Sequence, residues 1–465
     1  KSLHTACQKT KGVYSEMIGM THDLAILGSG FGGSLCALIA KQLGLNVILI
    51  DNASHPRFAI GESSTPQADL MLAHLADKYQ LDFLSPFASY GSWKRAYPEI
   101  PCGPKRGFSY INHQQGGGEL LVAANPDLER ADTHWYRESF DAYLADQVRG
   151  AGIEFIENVK VQVKKEVCHT LMFQGREVQA NFVIDATGGR NPLAIEQECA
   201  LHTQSRSIYT HFTGVNKWGE MHPASHHPFE SHNAALHHLI EGGWMYVLHF
   251  DNGITSAGFV LDTSVHPYTD ESPDAEWNRL IRRYPAISEQ FEQNTQINPL
   301  VKTSRMQRKS VRYSGNNWAM LPSAAYFVDP LHSTGNAHTL YCIERIMNAI
   351  QTGDSLTSYE TQLHEEISLI DDLVSGAYAV IDDFDSFTNI AMLYFAGADF
   401  SERKRRTEGS ASFINCQDKR FRETVSDWAE QARSGNTIPN LKDAIEPWNC
   451  VGLCDESKQN MYDYV

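Results

Sequence analysis

The sequence predicts an α/β protein in which a Rossmann-like nucleotide-binding domain is interleaved with an antiparallel-sheet domain and followed by a helical C-terminal region. Three observations support this fold class. A glycine-rich turn stands between an apolar strand and an apolar helix close to residue 30. Strand-like alternation extends from about residue 200 to residue 280. Helical periodicity dominates after about residue 352.

The glycine-rich turn has the residue order of a dinucleotide site. An apolar strand leads into Gly28, Gly30 and Gly33, and a second apolar strand ends at Asp51. In such a turn the first glycine permits tight bending, the second admits a pyrophosphate and the third lets helix and strand pack closely. The helix N-terminus attracts phosphates, and Asp51 is expected to accept hydrogen bonds from a ribose 2′-hydroxyl. The alternative is a structural turn in an unrelated α/β protein.

Two further turns combine small residues with a preceding apolar strand. The strand-like run 181–185 ends at Asp185 and leads to Gly188, which resembles the second FAD-contacting segment of glutathione-reductase-like flavoproteins. A third segment contains Asp329 and ends in a Ser-Thr-Gly turn at Gly335, before a helix predicted from about residue 337 to residue 350. Each turn alone is common, but three in this order indicate FAD as the cofactor.

The composition is that of a globular protein with an acidic excess. Lys and Arg number 39 and Asp and Glu number 56, which gives a net charge of −17. Nucleic acid and anionic membranes attract cationic surfaces, so we expect neither as a partner. No apolar run reaches the ~18 to 20 residues of a membrane-spanning helix. The nine cysteines form no CxxC pair, which is typical of reduced thiols in a cytoplasmic protein.

The same patterns divide the 465 residues into parts. The strands 244–250 and 254–261, joined by Asp-Asn-Gly, predict a hairpin of an antiparallel sheet, a usual platform for a substrate. The expected parts are a tag or extension at 1–20, the first part of the FAD-binding domain with the Lys105 strand region at 21–195, the antiparallel-sheet substrate domain at 196–300, the last part of the FAD-binding domain at 301–350, and a helical substrate-covering region at 351–465.

The segment 61–66, which reads Gly-Glu-Ser-Ser-Thr-Pro, is where the sequence resembles a known family. The chain resembles the flavin-dependent halogenases, and most closely their branch that acts on phenolic or other non-tryptophan substrates. The resemblance covers nearly all of 21–465 and implies a glutathione-reductase-type FAD fold, with Glu62 and Ser63 near the cofactor. Further matching segments are 102–110, 133–141, 243–244, 327–335 and 448–453.

The resemblance implies an enzyme of secondary metabolism. A separate flavin reductase would deliver reduced FAD, which with oxygen and chloride or bromide gives hypohalous acid; this acid moves through a tunnel to an essential lysine beside the substrate. Lys105, in Lys-Arg-Gly-Phe, matches that lysine, and Lys94 is second. An ammonium could polarise hypohalous acid, or an amine could form a haloamine. Backbone N–H groups of Thr334 and Gly335 would bind halide.

Two departures from the family pattern bear on the substrate. Tryptophan halogenases place a glutamate directly before Ser-Thr-Gly, where this chain has His332. A phenol therefore fits better than an indole, and His332 is a candidate general base, or a histidine packed under the flavin. The Trp-x-Trp-x-Ile-Pro box becomes Trp244, Tyr246 and His249, which weakens the distinction from flavin hydroxylases. A small aromatic substrate, free or bound to a carrier protein, is expected.

Three other interpretations remain open at this point. Aromatic hydroxylases with FAD usually carry a Gly-Asp pair before the third segment, where this chain reads Met-Leu-Pro at 320–322. A flavin-binding protein without turnover, or an alkene reductase similar to geranylgeranyl reductase, would not use the lysine.

Six histidines lack the spacing of a metal shell, so we predict no metal site. They are His222, His226, His227, His232, His237 and His238.

Overall fold

A computed structural model describes residues 21–125, 127–164, 168–190, 192–193, 197–198, 200–436, 441–455 and 457–462. The expected extension 1–20 and the expected boundary at residue 195 lie outside the described residues. Within the described part of the chain, no helix is long and apolar enough to cross a membrane.

The described strands are numbered in chain order. They are β1 Thr21–Leu27, β2 Val47–Ile50, β3 Cys102–Lys105, β4 Gly107–Asn112, β5 Glu119–Ala124, β6 Asp132–Trp135, β7 Glu154–Ile156, β8 Gln162–Lys164, β9 His169–Phe173, β10 Arg176–Asp185, β11 Gln197–Glu198, β12 Ser205–Thr213, β13 Ala235–Ile240, β14 Gly243–His249, β15 Ile254–Asp262, β16 Thr295–Gln296, β17 Val301–Lys302, β18 Arg308–Ser310, β19 Trp318–Met320, β20 Tyr326–Phe327 and β21 Met461–Tyr462.

The described α-helices are numbered in the same way. They are α1 Phe31–Gln42, α2 Pro66–Tyr79, α3 Tyr90–Ala96, α4 Arg137–Gly150, α5 Trp218–Met221, α6 Pro273–Arg283, α7 Pro285–Gln290, α8 Pro322–Ala325, α9 Thr334–Thr352, α10 Thr357–Ala379, α11 Phe384–Glu408, α12 Lys419–Arg433 and α13 Leu441–Ile445.

The first sheet brings the three predicted cofactor segments to one edge. Its order is β7-β2-β1-β10-β9-β8, and β19 pairs with the end of β10. Leu27 pairs in parallel with Ile50 on one side and with Asp185 on the other, and Asp185 pairs in parallel with Met320. The carboxyl ends of these strands therefore meet, as in other doubly wound sheets. The predicted α/β fold class is confirmed.

The second sheet forms the antiparallel part and crosses the expected domain boundaries. Its order is β16-β12-β15-β14-β13-β4-β5-β21, with β17 beside β12, and β14 and β15 form the predicted hairpin. Strands β4 and β5 lie within 21–195, the expected first part of the FAD-binding domain with the Lys105 strand region. They join this sheet because β4 pairs in parallel with β13, a distant contact that local sequence patterns do not reveal.

The C-terminal helices pack onto both sheets through one apolar core. This core extends from β1 and α1 to buried residues of α10, α11 and α12. Phe387, Tyr394 and Phe395 of α11 contact the rings of Phe108 and Tyr110 on β4. The helical region therefore covers the strand that follows Lys105, so the position of α11 determines what surrounds this lysine.

Candidate active site

A cleft of about 1020 Å³ lies along the edge of the first sheet where the parallel strands end. Leu27, Ile50, Ala186 and Leu321, at or just after those strand ends, line it. This edge is the usual ligand site of doubly wound sheets.

Two glycines let the chain segments beside the cleft meet. Gly28 has a φ of +95°, and a Cβ there would lie 2.5 Å from the carbonyl oxygen of Ala186. A Cβ at Gly33 would lie 1.8 Å from the carbonyl oxygen of Gly28. A larger residue at either position would push α1 away from the sheet, so both positions require glycine.

Three other glycines leave open space towards the cleft. The nearest side-chain atoms to a Cβ at Gly30 would be those of Arg137 and Asp141, at 3.6 Å, and no described atom would lie within 4 Å of a Cβ at Gly188 or Gly335. All three glycines line the cleft, and the free N–H groups at the start of α1 favour phosphate. The cleft therefore fits FAD, with its pyrophosphate at the first glycine turn.

Asp51 lines the cleft, but its oxygens already have donors. Arg57 donates to both carboxylate oxygens at 2.9 and 2.7 Å, and the N–H groups of Ser29 and Ala53 donate at 2.6 and 2.9 Å. Burial acts to raise the pKa of Asp51, but Arg57 and these N–H groups lower it to about 2. A ribose hydroxyl can reach this carboxylate only if Arg57 moves, so the predicted ribose contact stays a prediction.

The segment 61–66 is held in place by its neighbours. Glu62 and Ser63 line the cleft, and the buried Glu62 carboxylate bonds to His211 Nε2 at 3.0 Å. The side-chain amide of Asn336 donates to the carbonyl groups of Gly61 and Ser63 at 3.1 and 3.3 Å. The predicted cofactor-facing residues of this segment are therefore fixed by contacts within the protein.

Asp185 supports the second turn from inside the protein. Its carboxylate accepts hydrogen bonds from the N–H and the hydroxyl of Thr187 at 3.0 and 2.7 Å and from the N–H of Leu193 at 3.3 Å. The side chain is fully buried, whereas Gly188 lines the cleft. Asp185 thus shapes the turn that faces the cleft, which makes its predicted contribution to cofactor binding an indirect one.

Asp329 connects the third cofactor segment to the substrate sheet. It lines the cleft and accepts hydrogen bonds from Ser205 and from Tyr378, whose hydroxyl lies 3.1 Å away. The Tyr378 hydroxyl in turn accepts from Nε1 of Trp244 at 2.9 Å. Burial raises the pKa of Asp329 to about 7, although these bonds act to lower it.

Lys105 ends β3 and is fully buried. Its amino group donates a hydrogen bond to the carbonyl oxygen of Ser64 and lies 4.0 Å from the centre of the Phe108 ring. Burial lowers the pKa of Lys105 to about 8, although the carboxyl groups of Asp132 and Asp69 act to raise it. Its amine is thus next to the cleft-lining segment and sheltered from water.

The glycines on either side of Lys105 explain part of its motif. A Cβ at Gly103 would lie 2.0 Å from the carbonyl oxygen of His249, and a Cβ at Gly107 would lie 1.9 Å from that of Val122. Larger residues would therefore separate this segment from β14 and β5.

Lys94 occupies a different setting. Its amino group forms an ion pair with Asp251 at 2.6 Å and donates to the carbonyl oxygen of Pro98 at 3.1 Å. The side chain is 26% exposed. Partly exposed ion pairs of this kind are common surface features, so burial beside the cleft distinguishes Lys105 from Lys94.

Aromatic rings surround the Lys105 region in what we call the aromatic cluster, made of Phe108, Tyr110, His237, Tyr394 and Phe395. Ring centres lie 6.2 Å apart for Phe108 and Tyr110, 4.7 Å apart for Tyr110 and His237, and 5.2 Å apart for Phe108 and Phe395. His237 also lines the cleft, so the cluster extends from Lys105 to the cleft.

His332 is fully buried and stacks on Tyr394 with the ring centres 4.6 Å apart. Neither ring nitrogen has a hydrogen-bond partner among the described residues. Burial lowers the pKa of His332 to about 3, so the imidazole is neutral at neutral pH. His332 is not among the residues that line the cleft, and its predicted role as a general base stays a prediction.

The Ser-Thr-Gly turn is the start of α9. Ser333 adopts a left-handed conformation with φ 52°, and the helix begins at Thr334. The N–H groups of a first helical turn have no carbonyl partner within the helix, and the helix dipole favours an anion there. Thr334 and Gly335 both line the cleft, so their N–H groups fit the predicted halide site.

The altered tryptophan box divides between the cleft and the surrounding protein. Trp244 and Tyr246 line the cleft, whereas His249, at the end of β14, lies 3.0 Å from the hydroxyl of Thr255.

Of the six histidines considered for metal binding, His226 and His227 share Glu119, with the three ligand atoms within 4.8 Å of one another. His226 is 76% exposed, and the absence of a metal site stays a prediction.

Several side chains of this region lie beyond sequence-based inference. Asp132 stands directly opposite Lys105 in the β3–β6 ladder, Arg57 binds Asp51, and Tyr378 reaches Asp329 from α10. Each of these contacts joins residues through tertiary structure. The one local signal was Asp132 itself, an acidic residue at the start of a strand-like run.

Comparisons with known proteins show the family to which the chain belongs. Residues 132–394 match the family model described as tryptophan halogenase. Monodechloroaminopyrrolnitrin halogenase PrnC of Pseudomonas fluorescens is 32% identical over 403 residues, which cover 81% of this chain and 71% of that protein. Tetracycline 7-halogenase of Kitasatospora aureofaciens is 28% identical over 455 residues, which cover 90% and 79%.

Solved structures show the same fold. The crystal structure of halogenase PltM superposes with a TM-score of 0.83 at 23% identity and covers 94% of this chain and 99% of that one. A fold and a cleft suited to FAD define a flavoprotein. The family match and the relatives make it specific: the chain belongs to the flavin-dependent halogenases, and it is an FAD-dependent enzyme with halide as co-substrate.

Gly335→Val tests whether the open space at this glycine is used by the cofactor. Because a Cβ there meets no described atom, we expect the free energy of unfolding of the FAD-free protein to change by less than about 1 kcal/mol. The added methyl groups would project into the cleft and weaken FAD binding about tenfold or more, as measured by fluorescence titration.

Gly150→Ala provides the control, because it adds a Cβ that also meets no described atom but lies away from the cleft. It should leave FAD affinity unchanged. Wild-type affinity in Gly335→Val would show that FAD does not approach this glycine.

Proposed function

We propose that this protein halogenates an electron-rich, phenolic aromatic compound with hypohalous acid that Lys105 binds beside the substrate. Bound FAD in its reduced form supplies the chemistry that generates hypohalous acid from oxygen and chloride or bromide. The observation that supports this proposal is the buried amino group of Lys105. It contacts Ser64, next to the cleft, on one side and Phe108 of the aromatic cluster on the other. A separate flavin reductase in the cytoplasm would supply the reduced FAD.

Lys105 can transfer the halogen by donating a hydrogen bond. With a pKa of about 8 it is mainly an ammonium at neutral pH, and donation to the oxygen of hypohalous acid makes the halogen more electrophilic. The carbon–halogen bond forms as the halogen–oxygen bond breaks, and the departing hydroxide takes a proton from Lys105 and leaves as water. The proton lost by the ring restores the ammonium.

The surroundings of Lys105 support a planar, hydroxyl-bearing substrate. The aromatic cluster offers ring faces and edges for stacking, and His332 has two ring nitrogens without partners among the described residues. A neutral imidazole can accept the hydrogen bond of a phenol and so orient its ring. Halogenase PltM, which shares the fold, has been solved in complex with phloroglucinol and FAD.

The test supplies purified protein with FAD, a flavin reductase, NADH, oxygen and chloride or bromide. Phenols, pyrroles and indoles are offered free, and a pyrrole acid is also offered on a carrier protein, since two relatives are named for such substrates. Halogenated phenols as the main products support the proposal. Products with only added oxygen indicate an aromatic hydroxylase, and halogenated pyrroles or indoles without halogenated phenols contradict the phenolic assignment.

Lys105→Met removes the amine and retains most of the side-chain volume. We expect halogenated product to fall at least about 100-fold, because a hydrogen-bond donor to the reacting group is lost, while FAD binding and the oxidation of reduced FAD continue. Lys94→Met is the matched control and should retain wild-type yield. An unchanged yield in Lys105→Met would show that another residue acts on hypohalous acid.

His332→Ala should reduce halogenation of a phenol about 100-fold or more if this histidine is the base. The defect should shrink as the pH approaches the pKa of the substrate, because a phenolate needs no base. Product yield across the pH range measures this, and Tyr394→Phe, which retains the stacking ring, is the control. Full activity of His332→Ala at every pH would exclude this role.

A further inference from the structure

Two buried carboxyl groups lie behind Lys105. Asp132, on β6, is 1% exposed and stands directly opposite Lys105 in the antiparallel β3–β6 ladder. Side chains paired in this way have Cβ atoms about 5 Å apart. Asp69, on α2, is 2% exposed, and the charge of Asp132 acts on its pKa, so the two carboxyl groups are electrostatic neighbours.

Ser64 joins one of these carboxyl groups to the lysine. Its carbonyl oxygen accepts the hydrogen bond of the Lys105 amino group, and its hydroxyl donates to Asp69 Oδ1 at 2.6 Å. Ser64 thus links Lys105 to Asp69, one residue from the cleft-lining Ser63.

The two carboxyl groups differ in their surroundings. Burial and the charge of Asp132 raise the pKa of Asp69 well above its usual range, which favours the protonated form of Asp69. A protonated carboxyl group next to a carboxylate avoids the repulsion of two like charges.

Burial shifts the other titratable groups near this pair towards their uncharged forms. Burial lowers the pKa values of the neighbouring imidazoles, and it raises those of the neighbouring phenols and of the carboxyl group on α11. These groups are His134 on β6, His237 on β13, Tyr394 and Glu402 on α11, and Tyr462 on β21. Asp132 is thus the carboxylate that faces the ammonium of Lys105.

We propose that Asp132 is the counter-ion of Lys105: as a buried carboxylate directly opposite the lysine in the β3–β6 ladder, it keeps the buried lysine charged and able to donate a hydrogen bond to hypohalous acid. Asp132 acts through Lys105 and is therefore a positioning residue. A buried charge that loses its partner is left uncompensated, and a lysine in that position releases its proton at lower pH. This inference rests on the proposed function, in which the ammonium form of Lys105 is the active one.

The experiment measures halogenated product per reduced FAD oxidised between about pH 6 and about pH 9, with a phenol whose own pKa lies above that range. In the wild-type enzyme the yield should fall as the pH rises through about 8, because Lys105 loses its proton there. In Asp132→Asn the fall should move to lower pH by about one to three units. The rate of oxidation of reduced FAD should stay unchanged, since Asp132 does not line the cleft.

Asp69→Asn is the matched control. An amide resembles the protonated acid and carries no charge, so the fall should stay near its wild-type pH. Asp132→Glu restores the carboxylate and should return the fall towards the wild-type position. FAD binding verifies that each variant is folded. If Asp132→Asn does not fold, the pH at which the product yield falls in Asp69→Asn and in Asp132→Glu tests the proposal instead.

Two results would contradict the counter-ion role of Asp132 without contradicting the proposed role of Lys105. One is a fall in Asp132→Asn at the wild-type pH, and the other is a downward shift in Asp69→Asn equal to or larger than that in Asp132→Asn. A wild-type enzyme that gives no halogenated phenol at any pH, or whose yield does not fall as the pH rises through about 8, would instead overturn the proposed role of Lys105 and the counter-ion with it.

Discussion

The charge of Lys105 is the constraint on which the arrangement around the site depends. An ammonium enclosed by aromatic rings loses its hydration and needs partners within the protein. The Ser64 carbonyl group, the Phe108 ring and the carboxyl groups of Asp132 and Asp69 supply them from three separate stretches of the chain. The short β3–β6 ladder fixes their register, and the glycines on both sides of the lysine allow this ladder to lie against the large antiparallel sheet.

The segment 61–66 both lines the cleft and contacts Lys105. Glu62 and Ser63 face the cleft, while Ser64 turns inwards to Lys105. Asn336, two residues after the helix start proposed for halide, holds the carbonyl groups of this segment. One short stretch therefore sets the spacing between the place where hypohalous acid would form and the place where it would react.

Sequence reasoning was sufficient where structure depends on near neighbours. The strand–glycine–helix order predicted β1, α1 and β2, and the Asp-Asn-Gly turn predicted the β14–β15 hairpin. The division into domains stays a prediction, and the pairing of β4 with the distant β13 was not foreseen. The carboxylate opposite Lys105 was likewise out of reach, since pairing between remote segments leaves no periodic signal in a single chain.

The far end of the antiparallel sheet has a consequence for how the enzyme is made. Strand β5 is completed by β21, whose Met461 pairs with Ala123. During synthesis β5 therefore remains an unpaired sheet edge until a segment hundreds of residues downstream has left the ribosome. Unpaired edges can pair with strands of other chains. The sheet behind the aromatic cluster is thus completed late in synthesis.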